Sequence, residues 1–173
     1  MSKYGTVKAL RPIKAMLEII IRRNGEKVYH YKRKRDLHVW KGQSIYANLI
    51  SQGAVGTSTA EWRVIASENN VSPDMGDDSG NPEANEFNPL IGTPVAVVYG
   101  FNPTIKPSGG YQSFADLQME GTVISDGSKT LRKVGIIDMV AVPNRNIVFE
   151  DMVIPKDVVL NDEVLIRYIQ QFG

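Results

Sequence analysis

A mainly β protein is what this sequence predicts: an antiparallel β-sandwich, jelly-roll-like, with one short helix and an N-terminal β-hairpin extension. Three observations lead there. Short apolar runs recur roughly every 10–15 residues, separated by Gly, Asn, Pro and Asp turns, the spacing of an all-β domain. Only one stretch shows convincing helical periodicity, which argues against alternating βαβ units. The chain of 173 residues is long enough to bury a real core without disulfides, and it has no cysteine with which to form one.

The elements follow in order. "AMLEIIIRR" and "EKVYHYKRK" flank Asn24-Gly25, a two-residue turn in which both positions need positive φ, so residues 15–34 read as a hairpin. Leu17, Ile19 and Ile21 share one face of it, with Tyr29 and Tyr31 across from them. "GQSIYANLISQG" is the helix: Ile45, Tyr46, Leu49 and Ile50 form its apolar stripe, and Gly53 fits the stop. "EWRVIAS" is a strand. "PVAVVYGFN" reads as a buried strand, and "FADLQMEGTVIS" as one with a bulge at Gly121. "LRKVGIIDMVAV" and "IVFEDMVI" are two more.

Met152–Pro155 ends the penultimate strand, a polar crossing with an Asn161-Asp162 turn follows, and Glu163–Phe172 closes the series. In that final strand Val164, Ile166, Tyr168 and Phe172 point one way and Leu165 and Ile169 the other. It is apolar on both faces, as in a strand with cover on two sides. The division expected is a basic hairpin extension, 1–41, and a β-sandwich domain, 42–173, carrying a long acidic loop at 67–93.

Charge is distributed unevenly. Residues 1–41 hold 12 Lys/Arg against three acids, and residues 42–173 hold the other 8 against 16, although the net charge is only +1. Such a split points to a contact between the basic end and an anionic surface. The expected interface residues are Arg22, Arg23, Lys32, Arg33, Lys34 and Arg35 on one side. On the other are Asp74, Asp77, Asp78, Glu83 and Glu86, from a loop with six acids and no Lys or Arg. Loops of that length are usually functional or disordered.

The chemistry of catalysis is missing from the pattern, and no enzyme activity is expected. His30 and His38 have no nucleophile motif beside them, and without cysteine two histidines exclude nearly every zinc site. "DMGDDSGNPEANE" places Gly76, Ser79 and Asn85 where a calcium loop from Asp74 needs a carboxylate or amide, glycine and glutamate, leaving only an irregular calcium site open. "GFNPTIKPSGG" lacks the phosphate-loop spacing. Glu150 and Asp151 are strand neighbours that point apart, so they cannot flank one bond. Trp40 and Trp62 read as core. No cofactor or metal is expected. Neither a membrane-spanning run nor a signal peptide is visible, and the expectation is a soluble protein of a reducing compartment.

From residue 36 onward the order of features resembles a broad group of virion structural proteins of tailed phages and archaeal tailed viruses. "RDLHVWKGQSIYANLISQG" is an entry segment and helix, "EWRVIASENNVSPDMGDD" a strand running into a Pro/Asp loop, and "NPLIGTPVAVVYGF" the strand after it. "GTVIS…LRKVGIIDM" and "FEDMVIPKDVVLNDEVLIRYIQQF" complete the series. The sequence departs from the group where the strand at 62–67 lacks a following glycine and where "KVGIID" replaces an E-x-G-L segment.

The resemblance implies a repeated subunit in the tail or head–tail region of a virion, made in the host cytoplasm, whose partners are copies of itself and other virion proteins. A capsid decoration protein is the alternative within that group. From another class, a carbohydrate- or receptor-binding module would use Tyr99, Phe101, Tyr111 and Phe114. Nucleic acid at the basic hairpin, through Tyr29, Tyr31 and their basic neighbours, is a third possibility. No membrane partner is expected.

Overall fold

The computed structural model describes residues 14–34, 62–73, 83–105, 113–139 and 146–172. Nine strands fill most of these: β1 (Lys14–Arg23), β2 (Glu26–Lys34), β3 (Trp62–Ser67), β4 (Val95–Ala96), β5 (Val98–Ile105), β6 (Ser113–Ile124), β7 (Lys129–Asp138), β8 (Asn146–Val158) and β9 (Glu163–Phe172). They form two antiparallel sheets, β2-β1-β9-β6-β5 and β4-β3-β7-β8. The expected helix at 42–53 lies outside the described residues, as does the 41/42 boundary.

The inner face of the last strand lies in the core, and both of its edges are paired. β9 is the middle strand of the first sheet, paired along its length with β1 on one side and β6 on the other. Val164, Ile166 and Tyr168 face inward with Leu17, Ile19 and Ile21 of β1 and Met119 and Val123 of β6, all almost completely buried. From the second sheet Trp62, Val64, Ala66, Val134, Ile136, Phe149 and Val153 meet them in one core, and the Phe149 and Tyr168 rings stack at 4.9 Å. At roughly 25 cal/mol per Å² of apolar surface removed from water, this shared core is the main favourable term in folding.

Four expectations are corrected. The hairpin is no extension: β1 lies between β2 and β9, with Ile19 opposite both Tyr31 and Ile166, so the N-terminal strands are built into the sheet. "PVAVVYGFN" is not one buried strand. Val95 and Ala96 pair with β3, the chain changes sheets at Val97, and β5 is an edge on which Val98 and Tyr99 are exposed. An apolar run that serves two sheets in succession looks continuous in sequence. Gly121 carries no bulge, since pairing with β9 runs through it without a shift. A Cβ there would stand 2.8 Å from Val95 Cγ2 and 2.9 Å from Val64 Cγ2, so the glycine lets the two sheets approach. Finally, β8 does not stop at Pro155. Lys133 pairs with Met152 and Leu131 with Lys156, and the intervening bulge holds Pro155 where no ladder N–H is needed.

The described part of the acidic loop, 83–93, folds onto its own chain. Phe87 is fully buried against Ile65, Ile137 and Ile147 on the face of the second sheet turned away from the main core. Gly135 makes room for it, because a Cβ there would meet Phe87 Cζ at 2.5 Å. From Leu90 to Val97 the chain then runs beside β3: Leu90 bridges Ser67, Ile91 N donates to Ala66 O at 2.9 Å, and Val97 N donates to Trp62 O at 2.9 Å. Ser67 Oγ and Glu68 N both donate to Pro89 O, each at 3.0 Å. This segment is held to β3 and to the far face of the second sheet by contacts within the chain.

Candidate functional site

The basic hairpin is the feature that most invites a partner, and its geometry follows from its turn. Asn24 and Gly25 sit at φ 52° and 83°, the left-handed pair that a two-residue hairpin requires. At the tip, the Arg23 guanidinium forks onto Asp162, Nε to Oδ1 at 2.9 Å and Nη2 to Oδ2 at 2.8 Å. Asp162 also accepts from Val159 N at 2.9 Å, so one buried carboxylate fastens the hairpin to the β8–β9 turn. The Arg23 and Val159 bonds outweigh burial and hold that carboxyl below its usual value. Further along, Arg33 Nη1 donates to Met152 O at 3.1 Å and Lys156 Nζ lies 5.5 Å above the Tyr29 ring. These contacts join the β2 edge to the β8 edge.

On the outer face of the first sheet, register assembles a row of alternating charge across four strands. Lys32, Glu18, Arg167 and Glu120 are successive cross-strand partners on β2, β1, β9 and β6. Arg167 Nη1 donates to Glu18 Oε2 at 2.7 Å and its Nε to Glu120 Oε2 at 2.6 Å. Gln118 donates to the same Glu120 oxygen at 2.9 Å, His30 Nε2 donates to Glu18 Oε1 at 2.9 Å, and Lys32 Nζ stands 4.0 Å away. Ile20 and Leu165 border the row on one side, Met16 and Ile169 on the other. Burial by itself would raise the Glu18 carboxyl. The bonds from His30 and Arg167, and the charges of Arg167 and Lys32, outweigh that and hold it below its ordinary value.

A pH dependence follows. A carboxyl whose folded value is depressed stabilises the fold above its unfolded value, and that contribution disappears as pH falls through the folded one. Glu18, Asp126 and Asp162 are all of this kind, with ordinary values of 4.5, 3.8 and 3.8. The urea midpoint should therefore be unaffected by these groups near neutrality and fall progressively below about pH 4.5. Arg23→Ala should make that fall shallower by removing the Asp162 part. An unchanged acid slope in the variant would contradict the pairing.

A second constellation lies on the far face of the second sheet. Lys133 and Glu150 are both fully buried and paired, Glu86 Oε2 stands 3.6 Å from Lys133 Nζ, and the Phe87 ring lies 5.7 Å from that nitrogen. A third lies at the β3–β5 edge. The buried Trp62, opposite Asp138 in register, has its ring 6.4 Å from that of Tyr99. Burial and the Asp138 charge push the Tyr99 hydroxyl up to about 12.

The predicted interface residues are dispersed. Arg22, Arg23, Lys32 and Arg33 lie on the hairpin, and Lys34 is the last residue of β2. Arg23 and Arg33 are engaged within the chain, as described. Glu83 and Glu86 belong to the segment packed on the second sheet, where Glu86 meets Lys133 and not the hairpin. Arg35, Asp74, Asp77 and Asp78 lie outside the described residues, as do Trp40, His38, Tyr111 and the side chains of Phe101 and Phe114. His30 is half-exposed on the hairpin face and Trp62 is core, as expected.

Pattern reasoning missed Glu18, Arg167 and Lys133, and weighed Glu150 only beside Asp151. The available signal was charge inside an otherwise apolar strand, as in "MLEIII", "VLIRYI", "RKVGII" and "IVFEDMVI". Among the described residues no group of three or more His, Cys, Asp or Glu could hold a metal, and no helix is long and apolar enough to cross a membrane. Comparison with family models, curated proteins and solved structures found no match.

Proposed function

We propose that this chain is a structural subunit of a tailed-virus particle, a β-sandwich that assembles in repeated copies in the tail or head–tail region. The observation that carries this reading is that the five-stranded sheet ends on two unlike edges. β2 bears Lys27, His30 and Lys32 beside the exposed Val28, whereas β5 presents the exposed Val98 and Tyr99. A subunit with different surfaces at its two ends joins head to tail and closes into a ring or continues as a filament. The opposed charge of the two parts of the chain and the resemblance over residues 36–172 support the same reading. Decoration of the capsid shell would use the same edges. The glycan-binding alternative finds less support, because Trp62 is spent on the core and leaves Tyr99 as the exposed aromatic of that edge among the described side chains.

The test uses the basic groups that the fold engages least, Lys32 included, whose Nζ lies 4.0 Å from Glu18. Arg23 and Arg33 are excluded because they brace the hairpin, leaving Arg22, Lys27 and Lys32. Exposed pairs contribute about 0–1 kcal/mol each, so changing one of them should do little. Replacing all three with Gln should slow assembly and reduce its salt sensitivity while leaving the urea midpoint near that of the parent, because these charges act through steering and register within a Debye length of about 8–10 Å. Assembly indifferent to the triple change and to salt would overturn the proposal. Loss of nucleic-acid retention with assembly intact would make nucleic acid the partner.

A further inference from the structure

The constellation on the far face of the second sheet has the composition of a self-forming cross-link. Lys133 on β7 and Glu150 on β8 are in contact with both side chains wholly removed from solvent. A second carboxylate, Glu86, stands 3.6 Å from the same nitrogen and is the one member that reaches water, at 28% exposure. Phe87 roofs the amine, held down by Ile65, Ile137 and Ile147 on a floor where Gly135 has no side chain. An amine and an acyl group are thus enclosed between neighbouring strands beneath an apolar cover, with a proton carrier at its solvent-facing rim.

We propose that Lys133 and Glu150 condense into an intramolecular amide. The step balances without any added reactant. The Lys133 ammonium passes one proton to Glu86, and the freed amine attacks Glu150 Cδ. A bond forms between Nζ and Cδ, and the bond from Cδ to one carboxylate oxygen breaks. Glu86 returns its proton to the departing oxygen and relays a second from the nitrogen, so one water leaves and Glu86 ends as it began. In bulk water such a condensation of ions is unfavourable. Three features of this site reverse that. The partners are held in contact by two paired strands, and such intramolecular placement corresponds to effective molarities of about 10⁵–10⁸ M. The apolar cover excludes the water that would hydrolyse the product. The product also carries no charge, which removes the cost of keeping two ions out of water. The inference does not depend on the assembly reading, since the bond lies within one subunit.

Intact-mass measurement of the folded full-length protein decides the matter. The parent chain should be lighter than its sequence mass by one water, after allowance for removal of Met1, and fragmentation should find residue 133 joined to residue 150. Lys133→Arg keeps the charge but cannot form the amide, and should have its full mass. Glu86→Gln keeps the shape of the partly exposed relay and should also have full mass while retaining the parent far-UV circular dichroism. A parent protein at its full sequence mass would overturn the proposal. A water loss that persisted in Lys133→Arg would overturn it too, placing the dehydration elsewhere, with Asp126-Gly127 as the first place to look. A cross-link that still forms in Glu86→Gln would remove Glu86 from the relay.

Discussion

Phe87→Ala should lower stability by about 3–5 kcal/mol, the usual cost of emptying a large aromatic site. Phe87 is fully buried although it comes from an acidic, proline-bearing loop, and it closes a cluster with Ile65, Ile137 and Ile147 that is separate from the main core. Its removal would strip the cover from that face of β3 and β7 and admit water to Lys133 and Glu150. A domain of this kind has about 5–15 kcal/mol in total, so the variant should fold but unfold at a clearly lower urea concentration. Phe87→Leu should lose much less. A shift within error of zero for Phe87→Ala would mean that the loop does not seat on the sheet.

Ile166→Asp should prevent folding outright. Ile166 is the central inward residue of the central strand, opposite Ile19 on β1 and Gly121 on β6, with no exposure to solvent. The substitution removes the burial of an isoleucine, worth about 1.5–3 kcal/mol, and then places a carboxylate among aliphatic groups at a cost of several kcal/mol more. Leu165→Asp tests the other face. There the new carboxylate would stand beside Ile20 and Thr122 on the side that already accommodates Glu18 and Glu120, so its effect should be smaller. Soluble expression and circular dichroism separate the two. If Leu165→Asp were the more damaging, the assignment of inner and outer faces would be reversed.

What the sequence made legible was whatever depends on local alternation. The hairpin turn at Asn24-Gly25, the shared face of Leu17, Ile19 and Ile21 and the opposed faces of β9 all follow from period-two pattern and turn chemistry. Partner strands were not legible. Arg167 meets Glu18 across 149 positions of chain, and nothing in either strand specifies the other. That is also why β1 and β2 read as an extension: a hairpin's sequence says how it pairs with itself, and its third neighbour is chosen by the whole sheet. At 83–93 composition was a poor guide to packing, since six acids and three prolines over residues 67–93 gave no sign of a seated segment. Two buried apolar residues anchor that stretch: Phe87 packs on Ile65, Ile137 and Ile147 beside the Lys133 ammonium, and Ile91 joins the main core. The candidate site suffered in the same way. Counting charges identified the basic hairpin but could not separate Arg23 and Arg33, which brace it, from Lys27 and Lys32, which face outward.

The proposal as a whole depends on whether copies of this chain join through unlike edges. Sedimentation of the purified full-length protein across a concentration series at low and at high salt, with negative-stain images of each sample, measures that directly. The predicted result is a discrete ring or a tube of repeated subunits that weakens as salt rises. A monomer at every concentration and at both salt levels would contradict it.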